Sequence, residues 1–141
     1  KSDKLDLVAL AGFMQIIQED FVNHFWGRMI NIHPSLLPKF PGLDIHKRAL
    51  EAKEKEHGCS LHFVDSGVDS GPIIAQARCA CRGDDTPEKL AARVLSLEHK
   101  LYPWVVNNLA LGNITLDGRR VRYSAACQEE ARRSGFILPQ S

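Results

Sequence analysis

No charge of either sign predominates in this 141-residue sequence: 18 basic and 17 acidic side chains leave a net charge of +1. Proteins that track nucleic acid or an anionic membrane by electrostatics carry a surplus of Lys and Arg, and that surplus is missing. No apolar run is long enough to span a bilayer. A secretory leader is also lacking, because Lys1-Ser2-Asp3-Lys4 runs into a short apolar stretch of strand character. Internal repeats and low-complexity segments are absent. The four cysteines offer no zinc framework, since the spacings of Cys59, Cys79, Cys81 and Cys127 match no zinc pattern. Reduced thiols in a cytoplasmic protein are therefore expected, with a disulfide-stapled secreted fold as the weaker alternative. The histidines show no metal-ligand spacing, so no metal is expected. The first residue is Lys1 rather than Met and lies almost inside an apolar strand, so the chain reads as a piece of a longer one.

What is present is ordinary for a globular domain: 44% hydrophobic and 25% charged residues, in a length that suits one domain with a real core. Leu5 to Phe13 is an unbroken apolar run that suits a strand buried on both faces. Gln18 to Trp26 reads as a short amphipathic helix, and Met29 to Ile32 as a strand stopped by His33-Pro34. The prolines and glycine of Leu36 to Gly42 shape a loop. Asp44 is the expected N-cap of a helix from Ile45 to about Glu56, with Gly58 beyond its end. Ser60–Val64 and Pro72–Cys81 read as strands flanking a polar loop, Asp65–Gly71. Thr86-Pro87-Glu88 opens a long helix with an apolar stripe of Leu90, Val94, Leu97 and Leu101. Pro103 should kink or end it, with a continuation to about Ala110. Ile114 to Ser124 reads as a hairpin around Asp117-Gly118. This order predicts an α/β fold whose sheet is parallel at first and antiparallel at one edge, flanked by helices.

In open α/β sheets, ligands bind beyond the carboxyl ends of the strands. Asn31 and His33, two residues apart on a strand, share a face. Together they offer two donors to a developing oxyanion and one group that moves protons near neutral pH. The plainer alternative is an Asn bonded to neighbouring backbone and a satisfied core His. Asp69, before Ser70-Gly71-Pro72, is equally readable as a turn residue. If it faces His33, it favours the imidazolium. His62 alternates with Leu61 and Phe63 and could share that cleft. His24, His46 and His99 read as surface or interface residues on helices, and His57 as a residue near a helix end.

Asn31-Ile-His-Pro-Ser-Leu-Leu-Pro38 with Pro41-Gly42, then His57-Gly-Cys-Ser-Leu-His-Phe63 and Asp69-Ser-Gly-Pro72, resembles the signature of the folate-dependent formyltransferases over roughly residues 5 to 112. The resemblance implies the C-terminal part of a Rossmann-like formyltransferase fold with a long C-terminal helix. It implies formyl transfer from 10-formyltetrahydrofolate to an amine, most closely as in the branch that acts on glycinamide ribonucleotide in purine biosynthesis. Asn31, His33 and Asp69 would be catalytic. Asn31 and protonated His33 would stabilise the tetrahedral oxyanion, and Asp69 would hold and charge His33. Met14, Gln15, Ile16 and Ile17 match the lining of the pterin pocket, with Asn31 beside them. Asp65, Ser66, Gly67, Val68 and Asp69 match the loop that reads the pterin's polar edge. Leu95, Ser96, Leu97 and Glu98 match the segment that contacts the ribonucleotide, with Leu95 departing from the polar residue often found there.

Two branches fit less well. Methionyl-tRNA formyltransferases typically continue with Arg-Gly where this chain has Pro41-Gly42-Leu43, and they carry a tRNA-binding domain. Deformylases tend to have His where this chain has Pro34. The family's Gly-rich phosphate loop has no counterpart here, so residues 1–141 are expected to be a catalytic domain lacking that N-terminal portion. A non-catalytic or complementing fragment, or a relative with another acceptor, remains the alternative. The oligomeric state is not legible.

Overall fold

The computed structural model describes residues 8–11, 26–67 and 70–140. The expected strand over Leu5 to Phe13 is described as β1, Val8–Ala11. The rest of that run, the helix expected over Gln18 to Trp26, and the site candidates Met14, Gln15, Ile16, Ile17, Val68 and Asp69 lie outside the described residues, except that Trp26 begins a turn. The following elements are β2 (Met29–His33), α1 (Ile45–Glu51), β3 (Glu56–Phe63), β4 (Ile73–Ala80), α2 (Pro87–Ala110), β5 (Ile114–Asp117), β6 (Arg120–Tyr123) and α3 (Ala125–Ser134).

Strands β1 to β4 form one sheet in sequential order. β1 pairs β2 in parallel, and β2–β3 and β3–β4 are antiparallel. This is the mixed sheet that the sequence predicts. Its apolar face carries Ile30, Ile32, Leu61, Phe63, Ala75 and Ala77, which form one core with Leu90, Val94, Leu101 and Val105 of α2. Thr86 caps α2 by accepting from the Lys89 amide at 3.1 Å, and Pro87 opens the first turn. The helix does not end at Pro103 but runs on to Ala110. A proline inside a helix costs about 3 kcal/mol, whereas full burial of Leu101 and Val105 on either side contributes about 1.5–3 kcal/mol each. Packing therefore outweighs the lost backbone bond.

Two expectations are corrected here. The helix opened by Asp44 closes at Glu51, and Lys53 takes a left-handed φ of 58°. Asp44 itself sits at φ 55° and makes no side-chain cap; its carbonyl accepts from the Arg48 amide at 3.0 Å. β3 then starts at Glu56, so His57 and Gly58 belong to a buried strand and not to a helix end. Gly58 must be glycine there, because an added Cβ would lie 1.9 Å from the Ala77 carbonyl oxygen of β4.

Beyond the expected hairpin, in which Asp117 pairs with Arg120, the chain adds α3, capped by Ser124 and closed by Gly135 in left-handed conformation. Only Cys127 and Ala131 of α3 are buried, too narrow a stripe to be read from periodicity. The tail then covers the outer edge of β4. Gln76 and Ile137 exchange two backbone hydrogen bonds of 2.8 Å, and Tyr123 donates to the Ile74 carbonyl at 2.5 Å. Covering that edge removes a template for unwanted strand pairing. All four cysteines are free thiols. Among the described residues no helix is long and apolar enough to cross a membrane.

Candidate active site

Alternation along β2 turns Ile30 and Ile32 toward α2 and leaves Asn31 and His33 on the other face. Register then assembles a polar row. Asn31 stands opposite His62, His33 opposite Ser60, and Ser60 opposite Gln76. All five are buried. Buried polar groups persist only when hydrogen-bonded, and here the bonds shape a site. His62 Nδ1 lies 2.9 Å from the Phe63 carbonyl, which can only accept, so Nδ1 carries the proton and Nε2 is an acceptor. Asn31 therefore donates its Nδ2 to His62 Nε2, at 3.4 Å. His33 donates from Nε2 to the Phe40 carbonyl at 2.8 Å, which fixes the ring's orientation.

The loop after β2 is held over this row. Ser60 Oγ donates to the Ser35 carbonyl at 2.7 Å and accepts from the Leu37 amide at 3.0 Å and Gln76 Nε2 at 2.9 Å. Gln76 Nε2 also donates to the Leu37 carbonyl at 2.9 Å. Arg48 of α1 donates to the carbonyls of Pro41 and Leu43 at 2.7 Å each, and its guanidinium lies 5.5 Å from the centre of the Phe40 ring. Phe40 itself has φ 52°. The carbonyl that orients His33 thus belongs to a residue held in left-handed conformation by contacts from α1. Ser60, Gln76, Arg48 and Phe40 were not among the expected site residues. Gln76 had left a signal, a lone amide within the apolar run Ile73 to Ala77.

His46 is half-buried. Its Nδ1 lies 3.1 Å from Nε2 of His57, with the rings edge to face at 5.2 Å. Burial, and then the neighbouring charge of His46, push the His57 imidazole down to about 4; Glu54 opposes weakly, and His33 adds to the lowering. Burial and then His33 lower His46 as well. One ring of the pair must accept, so it cannot hold two full protons and keep the bond. Against an unperturbed 6.5, folded His57 binds fewer protons than the unfolded chain between pH 4 and 6.5. Its stabilisation is complete above about pH 6.5 and is lost as pH falls toward 4, amounting to roughly 2 kcal/mol by pH 5. Urea midpoints should fall on acidification from pH 7 to 5, and less steeply in His57→Asn. Equal slopes in the two proteins would refute the assignment.

The second candidate region is the loop after β3. Because β2 and β3 are antiparallel, their carboxyl ends are at opposite ends of the pair. The Val64 amide donates to the Met29 carbonyl at 2.9 Å, so the loop leaves beside the start of β2, whereas His33 ends it. Four residue steps of strand, about 13 Å, separate the two. Within the loop the Asp65 side chain is turned inward. Its Oδ1 accepts from the Gly67 amide at 2.9 Å and Ser70 Oγ at 2.7 Å, and its Oδ2 from Arg119 at 3.1 Å. Burial alone would raise the Asp65 carboxyl, but the bonds from Ser70, Gly67 and Arg119 outweigh it and hold it below the usual carboxylate range. Ser66 and Gly67 are exposed.

The third region, Leu95 to Glu98, lies on α2. Leu95 and Glu98 line a hollow of about 280 Å³ with Ile32, His99, Tyr102 and Pro103. Ser96 is exposed and Leu97 half-buried against the core. Half-burial raises the Glu98 carboxyl, with His99 opposing. Ile32 points to the opposite face of β2 from Asn31 and His33, so the hollow meets the polar row only around the strand.

The chain is similar to known proteins in sequence and in fold. The family model described as formyl transferase matches residues 1–106. Phosphoribosylglycinamide formyltransferase of Escherichia coli (strain K12) is 46% identical over 123 residues, covering 82% of this chain and 58% of that protein. The trifunctional purine biosynthetic protein adenosine-3 of Drosophila melanogaster is 50% identical over 115 residues, 79% of this chain and 8% of that protein. The solved phosphoribosylglycinamide formyltransferase of Coxiella burnetii superposes with a TM-score of 0.80 at 50% identity, over 84% of this chain and 56% of that one. The chain spans little more than half the length of these single-function relatives.

Proposed function

The chain belongs to the formyl transferase family, and on that footing we propose that the protein carrying it is a phosphoribosylglycinamide formyltransferase, a folate-dependent enzyme of purine biosynthesis. It transfers the formyl group of 10-formyltetrahydrofolate to the amine of glycinamide ribonucleotide, in the cytoplasm. The observation that carries this reading is the buried row Asn31–His62 and His33–Phe40, in which an amide and an imidazole are oriented on one face before any ligand arrives.

The donor set fits a flat, elongated formyl donor. Its formyl group would lie at Asn31 and His33, and its heterocycle would extend along the polar face toward the Asp65 loop, a span of about 13 Å. Because both Asp65 oxygens are engaged within the protein, that loop meets the heterocycle through its backbone. The amine attacks the formyl carbon and a tetrahedral oxyanion forms. Asn31 and protonated His33 donate to it, each worth a few kcal/mol in a preorganised site. His33 then supplies a proton to the folate nitrogen as the carbon–nitrogen bond breaks and recovers one from the formylated amine, so the site ends as it began; Asp69 holds His33 charged. Met14 to Ile17 line the heterocycle slot. Glu98, beside Leu95, Ser96 and Leu97, accepts from ribose hydroxyls of the acceptor in the hollow on α2.

Incubated with 10-formyltetrahydrofolate and glycinamide ribonucleotide, the protein should release tetrahydrofolate stoichiometrically with formylated ribonucleotide. A higher kcat/KM with another amine, such as an amino sugar, would overturn the acceptor. Formate release that needs no acceptor would overturn transfer itself.

A further inference from the structure

We propose that Arg119, at the tip of the β5–β6 hairpin, is a positioning residue that holds Asp65, Gly67 and Ser70 in place for the formyl donor. The inference rests on the reading of that loop as part of the donor site.

Three segments distant in sequence meet at this guanidinium. Nη2 donates to Asp65 Oδ2 at 3.1 Å and to the Ser70 carbonyl at 3.3 Å, across 54 and 49 residues. The same group lies 5.5 Å from the centre of the Trp26 ring, in the turn that precedes β2. The hairpin is a separate two-stranded sheet, so its tip is an outside support for the loop. Asp117 pairs with Arg120, and Gly118 takes φ 63°, leaving a two-residue turn that presents Arg119 at the tip.

Asp65 closes the loop from within by binding Gly67 and Ser70 through one oxygen. Arg119 engages the other oxygen and the loop's far end. Both described ends of the loop are therefore tied to one another and to the hairpin.

A plain surface ion pair is the competing account, since the Arg119 side chain is 60% exposed. Such pairs add little to global stability. The brace and the surface pair differ in what they change locally. If Arg119 positions the loop, Arg119→Ala should raise KM for 10-formyltetrahydrofolate about fivefold, or about 1 kcal/mol. KM for the amine and the melting temperature should stay near wild type. Arg119→Lys should recover most of the loss, because it keeps the charge. Asp65→Asn with Arg119→Ala should be no worse than Asp65→Asn alone, as two members of one contact behave.

Hydrogen exchange at the amides of Ser66, Gly67 and Ser70, measured without substrate, should be faster in Arg119→Ala. That arm reads the brace even if the wild-type protein transfers no formyl group, an outcome that would defeat the functional reading alone. Exchange and KM both at wild-type levels would overturn the inference. Faster exchange with an unmoved KM would overturn it too, because Arg119 would then be only a structural tie.

Discussion

Replacing His33 with alanine should lower turnover about a thousandfold while folate binding changes little. The magnitude follows from two roles in one side chain. A positioned acid contributes about 10²- to 10⁴-fold, and a single oxyanion donor about 10²- to 10³-fold; acting in one step, these are not additive. The ring is wholly buried, and its Nε2 is bound to the Phe40 carbonyl. Truncation therefore also leaves a carbonyl without its donor, which by itself costs about 1–3 kcal/mol. His33→Asn separates the effects, since it keeps a donor and much of the volume but cannot carry the proton. We expect it to melt close to wild type and still turn over at least a hundredfold more slowly. Single-turnover rates with tetrahydrofolate binding measured alongside make the comparison direct. Wild-type turnover in His33→Ala would remove this residue from the chemistry.

Substitution of Gly71 should cost the protein about 3 kcal/mol or more, among the larger effects expected of any single methyl group. An added Cβ at this position would stand 1.7 Å from the Phe63 carbonyl oxygen and 2.8 Å from its carbon. The obstacle is backbone, so no side-chain rotation relieves it. The approach is close because the two ends of the Asp65 loop come together here, with the Phe63 amide donating to the Pro72 carbonyl at 2.9 Å. Relief requires that pairing to open, and the opening would propagate into the loop braced by Asp65. Gly71→Ala should therefore lose stability and donor affinity together, unlike Arg119→Ala, which touches affinity alone. Chemical denaturation measures the first, and a loss below about 1 kcal/mol would show that the strands part more easily than their pairing implies.

How far the sequence could be read depended on the range of the interaction involved. Short-range signals were reliable: Thr86-Pro87 opened α2 where side-chain capping requires it, the hairpin turned at Gly118-Arg119, one residue on from the expected Asp117-Gly118, and alternation put Asn31 and His33 on one face. Where the next turn of chain was decided by burial rather than propensity, the reading failed. His57 and Gly58 looked like a helix end because helix-forming residues continue past α1 to Glu56, yet pairing with β4 drew them into β3. The helix α3 carried good cap residues but only two buried positions, so its apolar pattern was too thin to register.

For the site, the sequence by itself determined which chemical groups are present and which of them share a strand face. Side-chain period along a strand is a local property of the backbone, and so needs no knowledge of partners. The order of the family motifs likewise determined the formyl transferase membership. Tertiary structure alone decided how those groups are used. Register set His62 against Asn31 and Ser60 against His33, and the carbonyl of Phe40 turned the His33 ring. The antiparallel sense of β2 and β3 moved the Asp65 loop to the far end of the row. Each of these depends on which strand lies beside which, and in what direction, a choice made by burying one apolar face under α2 and written in no single segment.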